Sequence, residues 1–262
     1  MRAELNGSPA TAEQLAVSAV AGYGHFTTMQ VRAGRVRGVD AHLRRLATAT
    51  RTLFGTDLDT GLVRTYLRRA VSGADAVTAR VTVLSLATPR GAAAPVEPDV
   101  LVTLRAPSEP STVPVRLRSV RHERVLPEVK HVGTFDLFHH TREAQRAGYD
   151  DALFVNAAGF VSEVSVWNIG FFDGERVLWP DAPKLAGTTQ LLLEHGLAAL
   201  GVPTRTLPVS PAAARAERSA FLCNSADPAR PVAAIDDTPL TIDHALTDLL
   251  TRAFATNAWV AI

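Results

Sequence analysis

Apolar and polar positions along the first 107 residues follow the pattern of a small domain that combines helices with strands. Apolar and β-branched residues predict strands at residues 77–86 and 99–107 and a hairpin that runs from residue 26 through a turn at residues 33–34. Residues 3–9 are predicted as a short strand that runs into a turn. Apolar residues that recur every three to four positions predict helices at residues 11–20, 40–55 and 60–70. Asp40 stands where an N-cap is expected, and Gly55 stands where that helix should end.

The second part of the chain follows a polar segment, residues 108–114, that contains two prolines and lacks bulky side chains. Such a segment is typical of a linker, so we predict two domains, at residues 1–107 and 115–262. Beyond the linker, the pattern predicts a strand from Val115, a β-meander from Tyr149, and a strand–loop–strand unit around Cys223. The predicted helices cover residues 135–147, 188–200, 211–218 and 242–256.

Composition and charge exclude several function classes. Apolar residues make up 47% of the 262 residues and the net charge is +1, so no global field favours nucleic acid, and we expect no nucleic-acid partner. The single cysteine, Cys223, excludes an internal disulfide and a cysteine metal cluster, and we expect no metal. The first residues lack an apolar core of signal-peptide length, and no apolar run is long enough to span a bilayer. A cytoplasmic protein without a membrane partner is therefore the expectation.

Lysine is nearly absent, and one of the two lysines, Lys130, lies between two apolar-patterned segments. Most lysines are plain surface residues, so this position alone is weak evidence. A β-type segment with Glu163 follows, and Thr188 and Thr189 open a predicted helix. An amine for a Schiff base, a carboxylate for a pyridinium nitrogen and a helix start for a phosphate are the parts of a pyridoxal 5'-phosphate (PLP) site.

Six segments, in the same order, carry a resemblance to a known family. They are GHFTTMQVRAGRV, HLRRL, VKH, GYDDALFVNAAGFVSEVSVWNIGFF, LAGTTQLLL and CNSADPARPV. Together they resemble the fold-type IV PLP enzymes, the class IV aminotransferase family, which includes branched-chain and D-amino acid aminotransferases and 4-amino-4-deoxychorismate lyase. The resemblance implies an α+β fold, with a smaller amino-terminal α/β domain and a larger carboxy-terminal domain that has a barrel-like sheet. It also implies a homodimer, with PLP in the cleft between the domains.

The resemblance implies a role for each matching residue. Lys130 matches the catalytic lysine, which forms the Schiff base with PLP and moves the substrate α-proton. Glu163 matches the glutamate at the pyridine nitrogen, and Arg45 matches the phosphate-binding arginine; the sequence alone would not separate Arg45 from Arg44. The other implied cofactor-binding residues are Asn168, Thr188, Thr189, Asn224 and Ser225. Plainer roles stay open: an outward-facing acid for Glu163, an N-cap for the two threonines and a turn for Asn224 and Ser225.

Substrate-binding residues are less clearly indicated. Phe26, Thr27 and Thr28 match the segment that lines the family's pocket, and Arg80 and Arg90 are candidates for binding a substrate carboxylate. Two departures make branched-chain specificity doubtful. Phe135 replaces a tyrosine that branched-chain enzymes usually carry shortly after the lysine, and Gln190 stands where the family often has arginine. The segments FTT, KHV and CNSADPARPV look more like the lyase branch.

Three functions stay open on these residues. The first is a PLP-dependent aminotransferase that moves an amino group between an amino acid and a 2-oxo acid through a Schiff base on Lys130. The second is 4-amino-4-deoxychorismate lyase, which releases pyruvate and 4-aminobenzoate with the same lysine. The third is a non-catalytic PLP-binding protein. The expected partner is a small molecule, either an amino acid or an aminodeoxychorismate-like substrate.

Overall fold

The computed structural model describes residues 2–86 and 95–262, so Arg90 lies outside the described residues. The helices of the described chain are α1 (Ala12–Ala21), α2 (Val39–Phe54), α3 (Thr60–Ala70), α4 (Phe135–Arg146), α5 (Thr188–Ala199), α6 (Pro211–Ala216) and α7 (His244–Ala255). The strands are β1 (Arg2–Leu5), β2 (Ser8–Pro9), β3 (Gly24–Arg32), β4 (Arg35–Arg37), β5 (Ala76–Leu84), β6 (Asp99–Arg105), β7 (Val115–Arg121), β8 (Asp151–Val155), β9 (Val161–Val164), β10 (Asn168–Phe172), β11 (Val177–Pro180), β12 (Thr204–Leu207), β13 (Ser219–Cys223), β14 (Arg230–Ile235), β15 (Thr238–Pro239) and β16 (Trp259–Ala261). None of these helices is both long and apolar enough to cross a membrane.

The described residues pack into two compact units. The first unit contains Met1–Ser108, Val129–Gly133 and Ala258–Ile262, and the second contains Glu109–Glu128 and Thr134–Asn257. Lys130 therefore packs with the first unit, although it follows the predicted linker along the chain.

The first unit is built on a seven-stranded sheet in the order β16-β4-β3-β5-β6-β1-β2. Each neighbouring pair is antiparallel. Strand β3 pairs with β5 along nine residues, which sets Thr28 opposite Arg80. A core cluster that includes Met29 of β3, Leu46 of α2 and Leu67 of α3 is buried in this unit. Amphipathic α2 and α3 bury the apolar stripes that the sequence predicted.

The start of α2 differs from the sequence-based expectation. The N-cap is Gly38, which adopts a left-handed backbone at φ 68°, and no side chain caps the helix. Asp40 instead lies in the first turn, where a carboxylate still interacts favourably with the helix dipole. The short connection from β4 to α2 needs a positive φ at Gly38, and glycine adopts that conformation without a steric penalty.

The second unit is built on a nine-stranded mixed sheet in the order β12-β11-β10-β13-β14-β7-β8-β9, with β15 paired to β14. A β-bridge between Val164 and Trp167 connects the end of β9 with the start of β10. The strand order that begins at β10 and ends at β9 is therefore curled, with its two ends close together. Leu117, Leu153 and Ile169 belong to a buried apolar cluster of this unit. This curled sheet confirms the barrel-like architecture and the mixed α and β class that we expected.

Four short strands, β2, β12, β15 and β16, were not predicted. They contain two to four residues each, and β12 is largely exposed at Thr204–Leu207. An exposed strand has no apolar face to alternate with a polar one, so its sequence carries no period-two signal. Only pairing with a neighbouring strand, such as the parallel pairing of β12 with β11, defines it.

Candidate active site

Lys130 is held against the start of β3 within the first unit. Its carbonyl oxygen accepts a hydrogen bond from the Phe26 amide at 2.9 Å, and the Val132 amide donates to the Gly24 carbonyl at 2.9 Å. These bonds fix the backbone at the lysine and directly after it. The Lys130 Nζ atom lies 5.1 Å from the centre of the Phe26 ring, within cation–π range. The structure therefore brings the predicted catalytic amine to a predicted substrate-binding residue.

A second cation shares this aromatic ring. Arg80 Cζ lies 3.6 Å from the centre of the Phe26 ring, and its Nε donates to Thr82 Oγ1 at 3.2 Å. Burial, together with the charge of Arg105, lowers the pKa of Arg80. Within the described chain, Arg80 forms no ion pair with a carboxylate. Phe26, Arg80 and Lys130 thus form a positively charged aromatic cluster, with Thr28 in register beside it on β3.

Arg45 projects from α2 into a group of neutral polar side chains. Its Nη2 donates to Thr27 Oγ1, and Thr27 Oγ1 lies 2.6 Å from His42 Nδ1. Burial lowers the pKa of Arg45 to about 10. Burial lowers the pKa of His42 well below its ordinary value, and the charges of Arg45 and Lys130 lower it further. His42 is therefore a neutral imidazole at physiological pH.

Thr27 does not share the environment of its neighbours on β3. Because side chains alternate along a strand, Thr27 points away from the face that carries Phe26 and Thr28. It is fully buried and contacts residues of α2. The family resemblance grouped Thr27 with the pocket-lining residues, and in the structure Thr27 contacts Arg45 and His42.

His25 forms a similar contact with Thr50, about two turns beyond His42 along α2. Its Nε2 lies 3.0 Å from Thr50 Oγ1, and Thr50 Oγ1 donates to the Leu46 carbonyl at 2.9 Å. Since the threonine proton is used on Leu46, His25 Nε2 carries the proton that it donates to Thr50. Burial and the nearby Arg45 charge lower the pKa of His25 to about 4. Arg45 is thus surrounded by uncharged histidines.

Glu163 lies in β9 of the second unit, and its charge is paired. Arg124 Nη1 is 3.5 Å from Glu163 Oε1, with side-chain exposures of 4% and 6%. The Leu185 amide also donates to Glu163 Oε1, at 3.4 Å. An unpaired buried carboxylate would be costly, and the guanidinium offsets that cost. No sequence pattern marks Arg124, because nothing in HERVLP distinguishes it from the many other arginines.

Asn168 links Glu163 to the start of α5. Its Nδ2 donates to the Leu185 carbonyl at 2.8 Å, so Asn168 holds the residue whose amide bonds to Glu163. A Cβ atom added at Gly187 would come within 1.8 Å of Asn168 Oδ1, so any larger residue there would displace the Asn168 side chain. Gly187 is the N-cap of α5, no side chain caps this helix, and Thr188 and Thr189 behind it are buried.

The loop between β13 and β14 carries Asn224 and Ser225. Asn224 Oδ1 accepts from the Ala226 amide at 2.8 Å and from the Asp227 amide at 3.2 Å, while Nδ2 donates to the Val166 carbonyl at 3.4 Å. This is the turn geometry expected for an Asn side chain that bonds to its own backbone. Both Asn224 and Ser225 are partly exposed. Asn224 therefore shapes the loop, and any ligand contact would come in addition.

Two features suit the phosphate of PLP. Arg45 Nε is buried and has no hydrogen-bond partner within residues 2–86 and 95–262. The amino end of α5 has no capping side chain, so its first N–H groups suit an anion. Each of these features, within its own unit, offers N–H donors that suit an anion, and a phosphate supplies acceptors only. The residues present therefore fit the cofactor that the sequence suggested.

Solved structures share the fold along nearly the whole chain. A branched-chain aminotransferase from Thermoproteus uzoniensis, crystallised with norvaline, is 19% identical with a TM-score of 0.85, covering 97% of this chain and 93% of that chain. A putative 4-amino-4-deoxychorismate lyase from Legionella pneumophila is 21% identical with a TM-score of 0.83, covering 90% of this chain and 92% of that chain. The PLP-bound form of a hypothetical aminotransferase from Mycobacterium tuberculosis is 22% identical with a TM-score of 0.78, covering 98% and 100%. At these identities the likeness establishes the fold.

No curated protein sequence matches this chain. A family model does: residues 24–235 match the model described as amino-transferase class IV. The match contains Lys130, Glu163 and Arg45 and spans most of the chain. It agrees with the resemblance carried by the six sequence segments, and it supports an enzyme rather than a non-catalytic protein. This chain therefore belongs to the class IV aminotransferase family of enzymes.

Proposed function

We propose that this chain is a PLP-dependent aminotransferase that moves an amino group between an amino acid and a 2-oxo acid. The observation that carries the proposal is the position of Lys130. Hydrogen bonds to β3 hold its backbone, and its Nζ atom lies beside the Phe26 ring, in the unit that also contains Arg45. Family membership and the PLP-bound form of a similar structure support PLP as the cofactor.

Bound PLP supplies an aldehyde carbon and an electron-withdrawing pyridinium ring. Lys130 is proposed to bind the cofactor through its Nζ atom and, once substrate has replaced it, to take the proton from the substrate α-carbon. Glu163 is proposed to keep a proton on the ring nitrogen through its carboxylate. The Arg124 ion pair and the Leu185 amide hold that carboxylate in place.

The phosphate is proposed to be held by Arg45, by Thr188 and Thr189 at the start of α5, and by the loop of Asn224 and Ser225. In the complete reaction the donor amino acid leaves as a 2-oxo acid. A second 2-oxo acid then takes the amino group and leaves as an amino acid, so that no net oxidation occurs. The substrate carboxylate is proposed to meet the cluster of Phe26, Thr28 and Arg80, because Arg80 forms no ion pair with a carboxylate among residues 2–86 and 95–262.

The second candidate is 4-amino-4-deoxychorismate lyase. In that reaction Lys130 would remove the same α-proton, pyruvate would leave and 4-aminobenzoate would form. Phe135 supports the lyase as the second candidate. It stands where a branched-chain enzyme usually has tyrosine, it carries no hydroxyl, and it is 83% exposed at the start of α4. FTT, KHV and CNSADPARPV also resemble the lyase branch.

One spectroscopic experiment tests the proposal. Purified protein with PLP should show a visible absorption band from cofactor bound at Lys130, and one amino acid in a panel of L and D forms should bleach that band. Stoichiometric 2-oxo acid must appear at the same time. If the band persists with every amino acid while aminodeoxychorismate yields pyruvate, the lyase is correct. The absence of any band with PLP would overturn both.

Two further expectations belong with this proposal. We propose a homodimer, which the family resemblance supports, and light scattering during size-exclusion chromatography should then give a mass near twice 28.0 kDa. We also propose a cytoplasmic location, which cell fractionation tests.

A further inference from the structure

The hydroxyl of Thr27 has one proton and two neighbours. Arg45 Nη2 can only donate, so Thr27 Oγ1 accepts from Arg45. The other neighbour is His42 Nδ1, at 2.6 Å. Thr27 is fully buried, and His42 is 4% exposed. The threonine proton therefore has one acceptor within the described residues, namely His42 Nδ1.

These two contacts determine which nitrogen of the His42 imidazole carries the proton. If His42 Nδ1 carried a proton, two donors would point at Thr27 Oγ1, and the threonine proton would be buried without an acceptor. A buried donor without an acceptor is strongly disfavoured. His42 is therefore neutral, with its proton on Nε2, and Thr27 donates to Nδ1. The low pKa of His42, caused by burial and then by Arg45 and Lys130, is consistent with this assignment.

We propose that Thr27 and His42 are positioning residues, which hold the Arg45 guanidinium by one edge and direct its other donors to the phosphate of PLP. The chain of hydrogen bonds runs from Arg45 Nη2 to Thr27 Oγ1 and from Thr27 Oγ1 to His42 Nδ1. Arg45 Nε is left without a hydrogen-bond partner in the described chain, so it is available to an anion. This inference rests on the proposed function, since it takes the phosphate of PLP as that anion.

Holding Arg45 through a neutral hydroxyl has a physical consequence. A carboxylate partner would neutralise the guanidinium and compete with the phosphate for it. A hydroxyl that is backed by a neutral imidazole orients the guanidinium and leaves its charge free. The pair therefore favours phosphorylated over unphosphorylated forms of the cofactor, without touching either.

The test compares dissociation constants for PLP and for pyridoxal, which lacks the phosphate. Thr27→Val removes the hydroxyl at nearly constant volume, and we expect PLP affinity to fall about tenfold while pyridoxal affinity is unchanged. Thr27→Ser restores the hydroxyl and should restore the preference for PLP. His42→Leu should weaken PLP binding in the same way, whereas His42→Asn, which offers an oxygen close to the position of Nδ1, should retain it.

The outcomes separate this inference from the proposed function. If the wild type prefers PLP over pyridoxal, Arg45→Gln abolishes that preference, and neither Thr27→Val nor His42→Leu reduces it, then the positioning role is wrong and the cofactor assignment stands. Equal losses for PLP and pyridoxal would indicate a merely structural role and would also overturn the inference. A wild type that binds neither compound contradicts the proposed function itself. Because the two substitutions are independent, failure of one variant to fold leaves the other as the test.

Discussion

Two buried charges, Arg45 in the first unit and Glu163 in the second, have different neighbours. Glu163 has an oppositely charged partner, Arg124, and both side chains are at most 6% exposed. Arg45 has a hydroxyl and two neutral histidines as neighbours, and its charge stays uncompensated by any carboxylate in the described chain. The ion pair with Arg124 holds the Glu163 carboxylate in one position. The Arg45 guanidinium, with no carboxylate beside it in the described chain, is suited to binding an anion.

The largest expected effect on activity comes from removing the amine of Lys130 in the first unit. Lys130→Ala should remove the visible band of bound PLP and reduce turnover by about 10⁴-fold, because both the attachment point and the proton carrier are lost. Absorption spectra and product assays measure the two effects. Lys184→Gln is the matched control, since Lys184 is the other lysine and its Nζ donates to the Pro180 carbonyl in the second unit. Full activity in Lys130→Ala would refute the proposed chemistry.

The next effect tests the compensated charge of the second unit. Arg124→Met leaves the Glu163 carboxylate buried without its guanidinium, and the free energy of unfolding should fall by about 3–5 kcal/mol. Urea denaturation of the cofactor-free protein measures this change. Arg124→Met combined with Glu163→Gln should regain much of the loss, because no unpaired buried charge then remains. Equal stability of Arg124→Met and wild type would mean that the ion pair does not contribute.

Glu163→Gln separates the chemical role of the carboxylate from its structural one. The variant should still bind PLP, while turnover falls by about 10²- to 10³-fold, since a neutral amide stabilises a protonated ring nitrogen less well. Steady-state kinetics and cofactor titration measure these quantities separately. Glu163→Asp, which keeps the charge, is expected to be faster than Glu163→Gln. A near-normal rate in Glu163→Gln would remove Glu163 from its assigned role.

The smallest effect concerns packing behind Glu163. Gly187→Ala places a Cβ atom 1.8 Å from Asn168 Oδ1, so Asn168 must move and its bond to the Leu185 carbonyl is strained or lost. We expect a decrease of about 1–3 kcal/mol in the free energy of unfolding. Combining Gly187→Ala with Asn168→Ala removes the clash and should cost less than the sum of the single changes. Strict additivity would show that the clash relaxes elsewhere.

Elements with one clearly apolar face were predictable from the sequence. The helix predicted at residues 60–70 is α3, Thr60–Ala70. Helix α5 also begins at Thr188 as expected, although most of its surface is buried. The start of α2 was not predictable, because a positive φ at Gly38 replaces the side-chain cap that Asp40 suggested. Strand β12 was not predictable either, because an exposed strand lacks an alternating pattern.

For the candidate site, residue types and their order indicated Lys130 and Glu163, and the family resemblance was needed to choose Arg45 over Arg44. Which unit each residue packs with depended on tertiary structure: Lys130 joins β3 of the first unit through hydrogen bonds between residues about a hundred positions apart. Arg124 and Thr27 emerged as partners only through contacts, because no local pattern marks an arginine or a threonine as the neighbour of a distant charge. Sequence by itself determined the family and the chemistry available, since these depend on residue identity. Tertiary structure decided which charges are compensated, since that depends on distance and burial.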